Sequence, residues 1–148
     1  MKRATVCLVG LLVLCSSAFA QATTLRFETA PRLALPAPRV RDPRIVLRAS
    51  RDLAVIAIQE MEGKARLISF TSSDGGDSFS DPVPVSLPGA WVFGNGESGP
   101  ALALGSRGLC AAWHQARTGG GGTEVVVSWS DTGEQWSKPV RLADQAGI

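Results

Sequence analysis

The chain has 148 residues, 45% of them hydrophobic and 19% charged, with a formal net charge of +2. That length supports one ordinary domain with a buried core. The charge balance leaves no basic footprint for nucleic acid or an anionic membrane, and three cysteines with one histidine show no zinc-type spacing.

The first twenty residues read as a targeting segment. Lys2 and Arg3 form a positive region, Ala4 to Cys15 an apolar run, and Ala18-Phe19-Ala20 a small-x-small site with cleavage expected before Gln21. The apolar run is shorter than the roughly 20 residues that span a bilayer. The expected mature protein is therefore exported, periplasmic or extracellular, with no membrane anchor and close to electroneutral. Cleavage also removes Cys7 and Cys15, leaving Cys110 alone in an apolar stretch, where a small buried hydrophobe is expected.

No helical periodicity of useful length follows. Short runs rich in Val, Ile and Leu alternate with Gly, Pro and Ser clusters, which predicts an all-β chain. Residues 21–42 form a Pro- and Arg-rich segment, opened by a candidate strand over Thr24–Glu28, and prolines at this density favour extended, loop-like backbone. Strands are predicted over Arg44–Ala49, Leu53–Gln59, Ala65–Thr71 and Val83–Leu87. Turns are expected at Ser50-Arg51-Asp52 and in SSDGGDSF (Ser72–Phe79), with a loop over Glu60–Lys64.

The second half repeats the first. Pro100 matches Pro43, Leu102 and Leu104 match Ile45 and Leu47, and Leu109–Gln115 matches Leu53–Gln59. Glu124–Ser128 matches Leu67–Thr71, and WSDTGEQW (Trp129–Trp136) echoes SSDGGDSF at a period of 57 residues. Ser80-Asp81-Pro82-Val83 recurs as Ser137-Lys138-Pro139-Val140, placing a proline at the start of each fourth strand, where an outer edge tolerates the missing donor. A four-stranded unit of this length that cannot bury both faces alone predicts a β-propeller blade. The boundaries are a first blade over 43–88 and a second over 89–148.

Within each hairpin the conspicuous residues have structural work. Asp74 and Asp131 are expected to accept bonds from backbone N–H groups, and Gly76 and Gly133 to supply positive φ. Phe79 and Trp136 are expected to tuck a ring beneath the turn. Ser72 can add a hydroxyl, whereas Trp129, aligned with it in the second copy, cannot.

These residues resemble the Asp-box (BNR) repeat, Ser-x-Asp-x-Gly-x-Thr-Trp, of the sialidase-like propellers. The first copy has Ser78 for Thr and Phe79 for Trp; the second departs at Trp129 and Gln135. The resemblance covers Arg44 to Ala143. It implies a partial β-propeller of two four-stranded antiparallel blades, part of a six-bladed parent. Sialidases, other glycosidases, sorting receptors and assembly factors share the motif, so it speaks to fold more than to activity.

In an antiparallel meander the Asp-box hairpins lie at one end of each blade, and the approach to the first strand lies at the other. Arg44, Glu97 and His114 are the candidate ligand-binding residues at that second end. Arg44-Ile45 resembles the Arg-Ile-Pro of the sialidase carboxylate-binding arginines, with Val46 in place of proline. The resemblance also implies a tyrosine nucleophile, and this chain has no tyrosine. The reading is thus a non-catalytic module that binds a glycan or a protein, without cofactor, metal or nucleic acid. The alternative is the N-terminal part of an exo-α-sialidase-like glycoside hydrolase whose catalytic residues lie beyond residue 148. Two blades cannot close a ring, so either a longer propeller or self-assembly of several copies is expected, the former preferred. In the longer propeller Thr24–Glu28 would close the ring.

Overall fold

The computed structural model describes residues 35–95, 98–119 and 121–142. The proposed signal segment, the candidate strand Thr24–Glu28 and Glu97 lie outside them. The described residues contain no helix. They form two antiparallel sheets.

The first sheet holds β1 (Val40–Ala49), β2 (Asp52–Met61), β3 (Lys64–Ser72) and β4 (Val83–Pro84), paired in chain order. The second holds β5 (Val92–Phe93), β6 (Ala101–Gly105), β7 (Gly108–Ala116), β8 (Thr123–Ser130) and β9 (Val140–Arg141). Here β5 and β6 share one edge of β7, while β8 and β9 follow on the other side. The outer strands β4 and β9 each begin just after a proline, Pro82 and Pro139, as an unpaired edge allows.

Two boundaries differ from expectation. The loop predicted over Glu60–Lys64 is a two-residue turn at Glu62-Gly63, both with positive φ (51° and 75°). That conformation matches the twist of a hairpin, so β2 and β3 stay paired out to Met61 and Lys64. The predicted fourth strand over Val83–Leu87 stops at Pro84. Beyond it the N–H groups of Val85 and Ser86 both reach the Leu67 carbonyl, at 2.9 and 3.3 Å, which ends regular pairing.

The pairings show how the two sheets correspond. Gln59 and Gln115 occupy the same place on β2 and β7. In β1 the pairing passes from Arg41–Ile58 to Arg44–Ile56, so Asp42-Pro43 bulges opposite a single residue. In the second sheet the same break, between Phe93–His114 and Ala101–Ala112, has grown to residues 94–100. β5 is therefore the detached outer half of the first strand. Two residues are too few to show alternation, so the sequence pattern misses it.

The hairpins also differ by one residue. Thr71 exchanges bonds with Ser80 nine positions on; Trp129 does the same with Ser137 eight positions on. Ladder pairing thus sets Trp129 against Thr71 and Ser130 against Ser72, not Trp129 against Ser72. Accordingly Ser130 supplies the hydroxyl, its Oγ accepting from the Gly133 N–H at 2.7 Å, as Ser72 Oγ accepts from Gly76 at 2.9 Å.

The two aspartates are unequal. The Asp74 carboxylate accepts from the Ser78 hydroxyl, from the Ser78 N–H at 3.0 Å and from the Ser72 hydroxyl at 2.8 Å, and these bonds hold its carboxyl far below the ordinary value of 3.8. Asp131, contrary to expectation, makes no hydrogen bond among the described residues. A depressed folded-state pKa contributes stability that is present above the unfolded pKa and is lost as pH falls through the folded one. Denaturant midpoints followed from neutral pH into the acid range should therefore show a loss that Asp74→Asn removes. An acid loss undiminished in Asp74→Asn would contradict this assignment.

Alternation sorts each sheet into two faces. Ile56, Ile58, Ala65 and Leu67 of the first sheet pack with Val92, Ala111, Trp113 and Val126 of the second in one core. On the far side of the first sheet, Val55, Ala57, Ile68 and Phe70 are fully buried, with Leu35, Ala37, Val40 and Phe79 packed over them. The second hairpin fastens the sheets together. Ser69 Oγ of β3 donates to the Gly133 carbonyl at 2.8 Å and accepts from Trp136 Nε1 at 2.8 Å, and Arg48 of β1 donates to the Thr132 carbonyl. Gly133 sits so close to Thr71 that an added Cβ would lie 2.9 Å from Cγ2.

Candidate functional site

The end of the sheets opposite the hairpins gathers charge around the β1 bulge. Asp42 adopts φ 49°, a left-handed conformation unusual for a residue other than glycine and disfavoured before Pro43. The bend brings its carboxylate 2.7 Å from Arg41 Nη1, while Arg41 Nε lies 2.7 Å from Glu60 Oε1 on the neighbouring strand. Arg41 Nη1 also donates to the Gly94 carbonyl, so one guanidinium joins both sheets at this rim. The bond with Glu60, followed by the influence of Asp42, raises the Arg41 pKa above its ordinary value against the opposing effect of burial. Arg41 is fully committed to this ion-pair network.

Arg44 lies one turn of the pleat further in, on the face that looks toward the second sheet. Its Nη1 donates to the carbonyl of its own neighbour Pro43 at 3.1 Å, and it has no carboxylate partner among the described residues. Arg48 on the same strand, by contrast, is held by both oxygens of Asp52 at 2.8 and 2.7 Å. Gly99 passes directly over the Arg44 guanidinium; a Cβ there would lie 2.8 Å from Nη2. The glycine lets the backbone of the 94–100 loop approach without displacing the cation.

His114 is elsewhere. It pairs with Phe93 and Val125 on β7, and alternation turns it away from Trp113, onto the outer face of the second sheet, where it is exposed. The second sheet therefore separates His114 from Arg44, and the two do not share one site. Cys110 occupies the same outer face and is half-buried, not enclosed in the core. The far side of the first sheet carries a groove of about 310 Å³, lined by Met61, Lys64, Arg66, Pro84 and Leu87 among others. Within it Arg66 is held by Gln59 Oε1 at 2.9 and 2.7 Å.

The second sheet has an inward-facing counterpart of that clamp. Trp113 Nε1 donates to Gln115 Oε1 at 3.0 Å, Gln115 Nε2 donates to Glu124 Oε1 at 2.9 Å, and Arg141 Nε lies 2.7 Å from Glu124 Oε2. The Gln115 bond, reinforced by Arg141, lowers the Glu124 pKa. Glu124 Oε1 accepts from Gln115, while Oε2 lies in the ion pair with Arg141 without meeting hydrogen-bond geometry, so the proximity of the charges and not a second aligned bond holds that oxygen.

Sequence reasoning singled out Arg44 but passed over Arg41, Asp42 and Glu60 as a unit. The available signal was the Gly-rich stretch leading to Pro100, which aligns with Asp42-Pro43; the bulge itself emerges only from the strand pairing. Among the described residues no three His, Cys, Asp or Glu side chains cluster as metal ligands, and no helix is long and apolar enough to cross a membrane. Comparison with protein-family models, curated proteins and solved structures gives no match for this chain.

Proposed function

We propose that the two sheets are consecutive blades of a sialidase-like propeller, and that the exported chain binds an acidic glycan through Arg44 without cleaving it. The observation that carries the binding reading is Arg44, an arginine at the strand-start rim whose only polar partner among the described residues is a neutral carbonyl. A guanidinium of this kind retains donors for a planar carboxylate, which it can engage in fork geometry. The ligand of matching chemistry is a sugar acid. The propeller reading is supported by the repeat itself, since the packed face of the second sheet contains the counterparts of the far-side residues of the first. Like faces thus stack in the same sense, as in successive blades.

No tyrosine is present to serve as the nucleophile that the family resemblance implies. Binding without turnover is the consistent reading. A glycan array should show retention of carboxylate-bearing glycans over their neutral or reduced analogues. Arg44→Ala should weaken that retention about tenfold or more, the loss of a charge-assisted bond worth roughly 1.5–3 kcal/mol, whereas Arg51→Ala at the hairpin end should leave it intact. Equal retention of neutral glycans, or an unchanged Arg44→Ala variant, would refute the reading. Release of free sugar from a sialoside would favour the glycosidase alternative.

A further inference from the structure

The groove on the far side of the first sheet lies where the two repeats differ in charge. Strand pairing sets Gln59 against Arg66 and Gln115 against Glu124, so Arg66 stands where the second sheet carries Glu124. In the second sheet a counter-charge completes that position, since Arg141 of β9 lies 2.7 Å from Glu124. Pairing of Ile68 with Pro84, and of Val126 with Arg141, puts Pro84 in the place of Arg141. The first sheet thus inverts the charge and supplies no opposite charge from its outer strand.

Arg66 is nonetheless held in one orientation. Its Nε and Nη2 donate to Gln59 Oε1 at 2.9 and 2.7 Å, and Gln59, itself buried, turns its Nε2 toward the Pro38 carbonyl at 3.5 Å. Nη1 has no partner, and the guanidinium has no carboxylate, among the described residues. A cation oriented by a neutral amide keeps its full charge and has less side-chain freedom left to lose on binding. Lys64 shares the lining, on which Glu62 is the one carboxylate against these two cations. The walls are apolar, with Pro84 beside Met61 and Leu87, which are 46% and 43% exposed. A volume of about 310 Å³ suits a small molecule.

We propose that this groove binds a small carboxylate with an apolar body, its charge taking the place beside Arg66 that Arg141 holds beside Glu124. Nη1 and the second hydrogen of Nη2 point away from Gln59 and form a fork that a planar carboxylate matches. Lys64 adds attraction, and the body of the ligand covers Met61, Pro84 and Leu87. Cations alone would take any anion, and apolar walls alone any apolar molecule; together they select a ligand with both features. The site also tolerates a sheet stacked on this side. Arg141 stays 41% exposed although the first sheet packs on its face, so the corresponding end of the groove is reached from the outer edge. This inference is independent of the Arg44 reading.

NMR titration of the labelled full chain with phenylacetate tests it. Saturable binding at low-millimolar concentration or tighter is expected, with shifts of the Arg66 Nε–H and Gln59 side-chain amide signals. Phenylacetamide, which lacks the charge, and acetate, which lacks the ring, should each bind about tenfold more weakly or worse. Arg66→Gln should weaken phenylacetate binding about tenfold or more, and Leu87→Asp, which sets a like charge on the exposed wall, should do the same. Arg51→Gln at the hairpin end should change nothing. If Arg66→Gln fails to fold, Leu87→Asp decides. Absence of saturable binding, equal binding of acid and amide, shifts confined to residues outside the groove, or indifference to both groove variants would overturn the proposal.

Discussion

Replacing Trp113 by alanine should destabilise the protein by about 3–5 kcal/mol, the range for truncating a large buried aromatic. Its side chain is only 1% exposed and belongs to the core shared by Ile56, Ile58 and Leu67 of one sheet and Ala111 and Val126 of the other. Neither sheet can close such a cavity by moving alone, because each is fixed by its own ladder. Total stabilities of about 5–15 kcal/mol make this loss a large fraction of the whole. Trp113→Phe separates packing from polarity. It keeps most of the ring but leaves Gln115 Oε1 without the indole donor now 3.0 Å away, so a smaller loss of about 1–2 kcal/mol is expected. Denaturant midpoints of the two variants measure both effects. A Trp113→Ala loss below about 1 kcal/mol would mean that this core does not hold the sheets together.

Gly108→Ala should be comparably damaging for a different reason. Gly108 opens β7 just after the Ser106-Arg107 turn with φ 92°, and an added Cβ would lie 2.6 Å from the Ser130 carbonyl oxygen and 3.0 Å from Asp131 Cα. Those are backbone atoms in the paired strand and its hairpin, so no rotamer change relieves the contact. Gly89 supplies the control, since it also has positive φ (79°) but nothing within 4 Å of the same added atom. Gly89→Ala isolates the conformational cost, about 1 kcal/mol, whereas Gly108→Ala adds steric displacement and should reach about 3 kcal/mol or more. Equal midpoints for the two variants would show that the ladder at Ser130 yields easily.

The central strands and their order were legible because they depend on local chemistry. β2 and β7 announce themselves by apolar runs ending in Gln59 and Gln115, and the hairpins by Gly76 and Gly133 beside hydroxyl and carboxyl groups that satisfy a turn. The repeat was legible for the same reason, since each copy must solve the same local problem. The Arg41–Asp42–Glu60 network was not, because it arises from a bulge that brings sequence-distant groups together. β5 was hidden because its identity rests on the partner it finds, not on any pattern of its own.

From the sequence alone it follows that the chain is built of β-strands, that its second half repeats its first, and that Asp74 and Gly76 belong to a turn. Tertiary structure alone decides which way each residue points. Shortening the second hairpin by one residue shifts β8 by one step, and since strand side chains alternate with a period of two, that step sets Trp129 in register with Thr71 and Ser130 with Ser72. The same parity separates His114 from Arg44 and sets the uncharged strand positions of the second sheet on its outer face. Pairing across strands is a long-range property, so the count that fixes a face is completed only when the partner strand is in place.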